Sequence, residues 1–160
     1  MNDAIEARLA TLETQLTELQ DREAIRNLIA SYGPLADCGD ADRVAGLWQD
    51  DGVYEVGGFG ASQGPRGDCR ADRRRHPPAA DAGRLRHTCS APCTFILKAG
   101  RAVAVGHSCV LRHRDGGFEA YRVSANRWEL TKDADGTWRV SKRSNRLLDG
   151  NPLAPALLRP

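Results

Sequence analysis

Nearly every helical signal in this 160-residue chain lies before residue 50, and nearly every strand signal lies after it. Helices first and then a run of strands is the order of an α+β fold, with helices gathered on one face of a sheet. Ile5, Leu9, Leu12, Leu16 and Leu19 step by four and three, a short heptad stripe under three heptads long. Ala24, Ile25, Leu28, Ile29 and Tyr32 continue at helical spacing until Gly33-Pro34 disturbs it, with one more turn to Asp37 left open. Asp40 is placed to cap a second helix carrying Val44, Leu47 and Trp48. Asp50-Asp51-Gly52 reads as a turn, and Val53–Val56 as the first strand. The Gly57-Gly58-Phe59-Gly60 run that follows demands a bulge or sharp bend.

Four further strands are expected at 94–98, 101–113, 118–131 and 137–148, separated by Asp115-Gly116-Gly117 and Asp133-Ala134-Asp135-Gly136. In the second of these, alternation puts Val103, Val105, His107, Cys109 and Leu111 on one face, read as the apolar side. The tail from Asn151 to Pro160 holds three prolines and is expected to run extended over a surface. The chain thus divides into a helical extension (1–20), a domain (21–150) and a tail (151–160).

Charge and cysteine use exclude several classes. With 23 basic and 21 acidic residues the formal net charge is +2, too balanced to imply a nucleic-acid partner. No run approaches the roughly 20 apolar residues of a membrane helix, and the N-terminal MNDAIEARLA has no signal-peptide character. No membrane partner is expected. The five cysteines (Cys38, Cys69, Cys89, Cys93, Cys109) form no CxxC pair and fit reduced thiols in a cytoplasmic protein. Motifs of nucleotide binding, zinc hydrolysis and the serine nucleophile elbow do not occur.

Residues 66–86 stand apart. They hold seven arginines, three aspartates, two prolines and one large apolar side chain, Leu85. The segment offers little to bury and reads as a solvated basic loop or broken helix. A one-base shift across residues 69–86 of a GC-rich gene would instead yield a stretch with helical apolar spacing.

The stretch LQDREAIRNLIASYGPLADCGDADRVAGLWQDDGVYEV resembles the helix–helix–strand opening of the SnoaL-like branch of the nuclear transport factor 2-like superfamily. RHTCSAP, AVAVGHSCVLR, SANRWEL and DGTWRVSKRSNRLLDG resemble its sheet. The resemblance spans roughly residues 18–150. It implies a cone-shaped α+β barrel, with N-terminal helices packed on a strongly curved antiparallel sheet that encloses an apolar pocket. The family includes polyketide cyclases, isomerases, dehydratases, dehydrochlorinases and dioxygenase β subunits, so the fold alone does not fix the activity.

The resemblance also singles out side chains. Asp37 is similar to the pocket aspartate, and His87 to the pocket histidine, of the family's dehydratases and dehydrochlorinases. There the two form a dyad in which the imidazole takes a proton and the carboxylate fixes its tautomer. Taken alone, Asp37 reads as a helix or turn cap and His87 as a strand histidine with its hydrogen bonds satisfied. His107 resembles a second pocket histidine, or is a core histidine bonded to a neighbouring strand. Ser124 and Asn126 resemble polar pocket residues, with Asn126 offering an amide donor to a carbonyl or enolate, or they form a surface pair. Tyr32 and Tyr54 are candidates to hold a water or substrate oxygen. A tyrosine found before the aspartate in the family's dehydratase is Ala36 here, and residues 66–86 replace an amphipathic helix of its relatives.

These readings converge on a cofactor-independent lyase of dehydratase or dehydrohalogenase type, acting on a small hydrophobic molecule. The same base would serve an isomerase or cyclase, and a non-catalytic assembly module is the competing class. Asp37, His87 and His107 lack tight ligand spacing, so neither a metal nor any other cofactor is expected. The apolar stripe at Ile5–Leu19 predicts a homo-oligomer, dimer or trimer.

Overall fold

The computed structural model describes residues 2–57, 60–64, 86–90 and 93–160 of the chain. The basic segment 66–85 therefore lies outside the described residues, and Arg86 opens a strand.

A single helix, α1 (Asn2–Asp37), makes up the first 36-residue element, about 54 Å long at 1.5 Å per residue. Its first half is exposed throughout. Its second half buries Ile25, Leu28, Ile29, Tyr32 and Leu35. Pro34 does not end it. Pro34 removes one amide donor, but its own carbonyl accepts the Cys38 N–H at 3.0 Å and closes the last turn. Helix α2 (Ala41–Ala45) starts as expected, with the Asp40 carboxylate accepting from the Arg43 amide. It stops short of Trp48, which opens the sheet.

The strands are β1 (Trp48–Val56), β2 (Gly60–Gln63), β3 (Arg86–Ser90), β4 (Thr94–Lys98), β5 (Arg101–Arg114), β6 (Gly117–Lys132) and β7 (Trp138–Leu147). Their order is β2-β1-β7-β6-β5-β3, with β4 pairing β5 beside β3, and the sheet is open. Most neighbours are antiparallel, but β1 runs parallel to β7. A parallel pair needs a long crossover, and here the whole remainder of the sheet forms that connection. β1 also runs through Asp50-Asp51-Gly52, where a turn was expected. Gly52 makes this possible, because a Cβ there would meet a Trp48 ring carbon and the Val140 carbonyl oxygen, each at 3.1 Å. Register breaks at Trp48/Val53, Val110/Leu111 and Glu129/Leu130 bend the long strands.

The result is an α+β fold in which the second half of α1 lies on the inner face of a curved sheet. Ile25, Leu28 and Ile29 meet Val56, Ala102, Ala104, Trp128, Leu130 and Val140 in one core. The Asp21 carboxylate accepts from Lys132 Nζ at 2.7 Å and Trp138 Nε1 at 2.9 Å, fastening the helix where burial begins. The tail departs from the extended run its prolines suggested: α3 (Leu153–Ala156) forms one turn there and buries Ala154. Pro152 precedes it, at a helix start where a missing amide proton costs little.

Candidate active site

The last turn of α1 is pinned against β3. A Cβ on Gly33 would lie 2.5 Å from the Thr88 carbonyl oxygen, so only glycine allows this approach of helix to strand. One turn later the Asp37 carboxylate accepts a hydrogen bond from the Thr88 amide at 2.9 Å. Asp37 thus reaches the residue that follows His87 in the chain. His87 sits in β3 opposite Leu111; its imidazole lies outside what the structure describes.

Deeper inside, four of the residues singled out from sequence converge. Tyr32 from α1 packs edge-on against Trp128, ring centroids 5.4 Å apart. Tyr54 projects inward from β1 with Trp48, Gly52 and Val56. Ser124 and Asn126 project inward from β6 and are buried. At their centre is Arg143, only 2% exposed. Its guanidinium lies 4.2 Å from the Tyr32 ring centroid, 4.8 Å from that of Tyr54 and 4.0 Å from that of Trp128. Cation–π attraction of this kind is strengthened by loss of water.

A hydrogen-bond network holds this charge in place. Arg143 Nη2 and Nε donate to Asn126 Oδ1 at 2.9 and 3.3 Å, and Asn145 Nδ2 donates to the same oxygen at 2.8 Å. Asn126 Nδ2 donates to Ser108 Oγ at 2.8 Å. Arg122 donates to Asn145 Oδ1 and Ser124 Oγ at 2.8 and 3.1 Å. Asn126 was expected to offer its amide to a carbonyl or enolate. Here its amide engages Ser108 and its oxygen orients Arg143, which carries the positive charge.

Sequence reading missed Arg143 for a definite reason. Trp138 and Val140 point inward, and strict alternation would send Lys142, Ser144 and Arg146 in after them. Ser141, however, is skipped in the pairing with both β6 and β1. Its hydroxyl donates to the Glu129 carbonyl at 3.0 Å. This bulge reverses the parity, so Arg143 and Asn145 turn inward. Arg146 and Lys142 meet Glu55 instead, at 2.8 and 3.6 Å.

His107 requires a correction. The inner face of β5 is formed by Ala102, Ala104 and Ser108, and His107 lies exposed on the opposite side of the strand. Its valine neighbours suggested the apolar side, but the inner face uses alanines, where small side chains leave room for Trp128, the partner of Ala104.

Burial pushes the Cys93 thiol up, more than its backbone hydrogen bond and the Arg26 charge lower it, so this cysteine stays protonated. Among the described residues no group of three His, Cys, Asp or Glu side chains is arranged to hold a metal ion. None of the described helices is long and apolar enough to cross a membrane.

Comparison with known proteins agrees with this architecture. An NTF2-like protein with a cystatin-like fold from Novosphingobium aromaticivorans is 41% identical, with a TM-score of 0.87 over 94% of this chain and 97% of that one. A hexachlorocyclohexane dehydrochlorinase (LinA) type 2 is 19% identical with a TM-score of 0.71, covering 84% of this chain and 89% of its own. ActVI-ORFA from Streptomyces coelicolor is 15% identical with a TM-score of 0.70, covering 79% and 96%. At such identities the last two share the fold alone. Comparison with curated proteins yields no match. The SnoaL-like domain matches residues 17–144, most of the chain and all of the interior cluster but Asn145, and the chain belongs to that family.

Proposed function

We propose that this protein is a cofactor-independent lyase of dehydratase or dehydrohalogenase type, acting in the cytoplasm as a homo-oligomer on a small hydrophobic substrate. His87 is the general base and Asp37 its orienting partner. The observation that carries the reading is the hydrogen bond from the Thr88 amide to Asp37, which brings a carboxylate to the residue beside His87. His87 removes a proton from the carbon next to the one bearing the leaving group. The C–H pair becomes the new double bond, and the leaving group departs with its own bonding pair. Arg143 supports the elimination as a fixed positive charge for the departing anion, and Tyr32 and Tyr54 form aromatic walls beside it. Asp37 follows Tyr32 by about one and a half turns of α1, so one rigid element serves both ends of the reaction.

The test is turnover of a panel of halogenated and hydroxylated small cyclic compounds, read as halide release and as absorbance of the new double bond. His87→Ala is expected to lower kcat by about 10²–10⁴-fold. Asp37→Asn should do nearly as much, and the double variant little more, because the pair acts as a unit. Wild-type turnover in His87→Ala, or loss of activity on chelation, would refute the mechanism.

A further inference from the structure

We propose that the first half of α1 pairs with the same segment of a second copy as a parallel, in-register, two-stranded coiled coil. The proposal deepens the homo-oligomer reading above and is independent of the chemistry.

Ile5, Leu9, Leu12, Leu16 and Leu19 are 49–63% exposed. They form one continuous stripe on a helix whose residues 2–20 are all exposed. A helical overhang of this size is marginal in water by itself, and a contiguous apolar stripe marks an interaction site. The stripe cannot fold back on its own domain. At about 100° per residue it points half a turn away from the face on which Ile25, Leu28, Ile29 and Tyr32 pack into the core. The domain therefore sits behind the helix, and the stripe is open to a partner approaching from the other side. The stripe also ends where burial begins: the next two seam positions are Glu23 and Arg26. It lies almost wholly before residue 17, where the family domain starts.

Charge selects the partner and its direction. With Leu9 and Leu16 at a, and Ile5, Leu12 and Leu19 at d, the flanking e positions hold Glu6, Glu13 and Gln20, and the g positions hold Arg8, Gln15 and Arg22. In a parallel pair each g meets the e five residues on. Arg8 then faces Glu13 of the partner subunit, Gln15 faces Gln20 of the partner subunit, and symmetry repeats both contacts. In an antiparallel pair e faces e and g faces g, which sets Glu6 against Glu13 of the partner subunit or Arg8 against Arg22 of the partner subunit. A second copy of this chain in parallel is thus the complementary occupant. Asn2 falls at a, where a paired polar side chain fixes register and favours two strands.

Sedimentation equilibrium of the full chain and three variants tests this, with far-UV circular dichroism to follow helix content. The wild type should be a dimer at micromolar concentration, and Leu12→Glu/Leu16→Glu a monomer with reduced helicity. Glu13→Lys turns two attractive contacts repulsive and should raise the dimer dissociation constant about tenfold. Arg8→Glu/Glu13→Lys should restore it. A tighter dimer in Glu13→Lys would mean antiparallel helices and overturn the proposal, as would a wild-type trimer. An oligomer that survives Leu12→Glu/Leu16→Glu would overturn it too, leaving a homo-oligomer held elsewhere, for instance by exposed Ile96, Phe118, Tyr121 and Val123 on the strands. A monomeric wild type would remove both readings.

Discussion

Replacing Gly33 by alanine separates two opposing effects and reports directly on the α1–β3 junction. In an isolated helix Gly→Ala stabilises by about 1 kcal/mol. At this position the new Cβ would stand 2.5 Å from the Thr88 carbonyl oxygen, and neither partner is a flexible side-chain tip. The helix and strand must part by roughly 1 Å to regain ordinary van der Waals separation. That movement stretches the 2.9 Å bond between the Thr88 amide and Asp37 past hydrogen-bond range. Overpacking costs about 1–3 kcal/mol, and the lost bond, exposed on one side, about 1 kcal/mol more. The net effect is a destabilisation of about 1–3 kcal/mol, or a fall in Tm of roughly 3–10 °C for a domain of this size. Urea unfolding with a two-state fit measures it. Asp37→Asn should cost less in the Gly33→Ala background than in the wild type, because both changes break one contact. On the proposed mechanism turnover should fall by about 10²-fold, since β3, which carries His87, and Asp37 are displaced by about an ångström. A Gly33→Ala protein that is more stable than the wild type would show that α1 and β3 do not meet this closely.

Two further outcomes test the interior. Burial pushes the Asp21 carboxyl up, but hydrogen bonds from Lys132 and Trp138 and the Lys132 charge outweigh it and hold the group below its ordinary value. Its contribution is therefore present above the unfolded-state pKa and lost as pH falls through the lower folded one. Asp21→Asn should cost about 1–3 kcal/mol at pH 7, with the gap to the wild type closing below about pH 4; a gap unchanged across that range in urea titrations would refute the assignment. Arg143→Lys keeps the charge but cannot donate twice to Asn126 while facing three rings, so it should lose about 1–3 kcal/mol. Unfolding midpoints equal to wild type would show that guanidinium geometry does not matter here.

The helical half was legible because its signals are local and strong. Ile25, Leu28, Ile29 and Tyr32 repeat at helical spacing, and all four are buried. Asp40 has the side chain a helix start needs, and it caps. The positions of β4 to β7 were legible for the same reason, with turn residues at Asp115-Gly116 and Asp133–Gly136 bracketing β6. What failed was the assignment of faces. In β5 Val103 and Val105 look more apolar than the alanines, yet Ala102 and Ala104 are the ones that join the core, beside Trp128, the cross-strand partner of Ala104. Hydrophobicity ranks single residues, whereas burial depends on what stands opposite.

The polar interior shows the limit more sharply. Beyond Val140 the two faces of β7 carry Lys142, Ser144 and Arg146 on one side and Arg143 and Asn145 on the other. Composition cannot choose between them, and alternation chooses wrongly. The choice is made by Ser141, a single residue left over when β7 pairs with β6 on one side and β1 on the other. One inserted residue turns Arg143 inward against Tyr32, Tyr54 and Trp128 and leaves Lys142 and Arg146 to meet Glu55. That register is a property of three strands taken together: β6, joined to β7 by a short turn, and β1, which precedes it by a full crossover. The chemistry of the interior therefore depends on a pairing offset that no local spacing encodes, while the Asp37 end depends on a helix whose spacing is plain. This is why the inward place of Tyr32 on α1 could be read from the sequence and that of Arg143 could not.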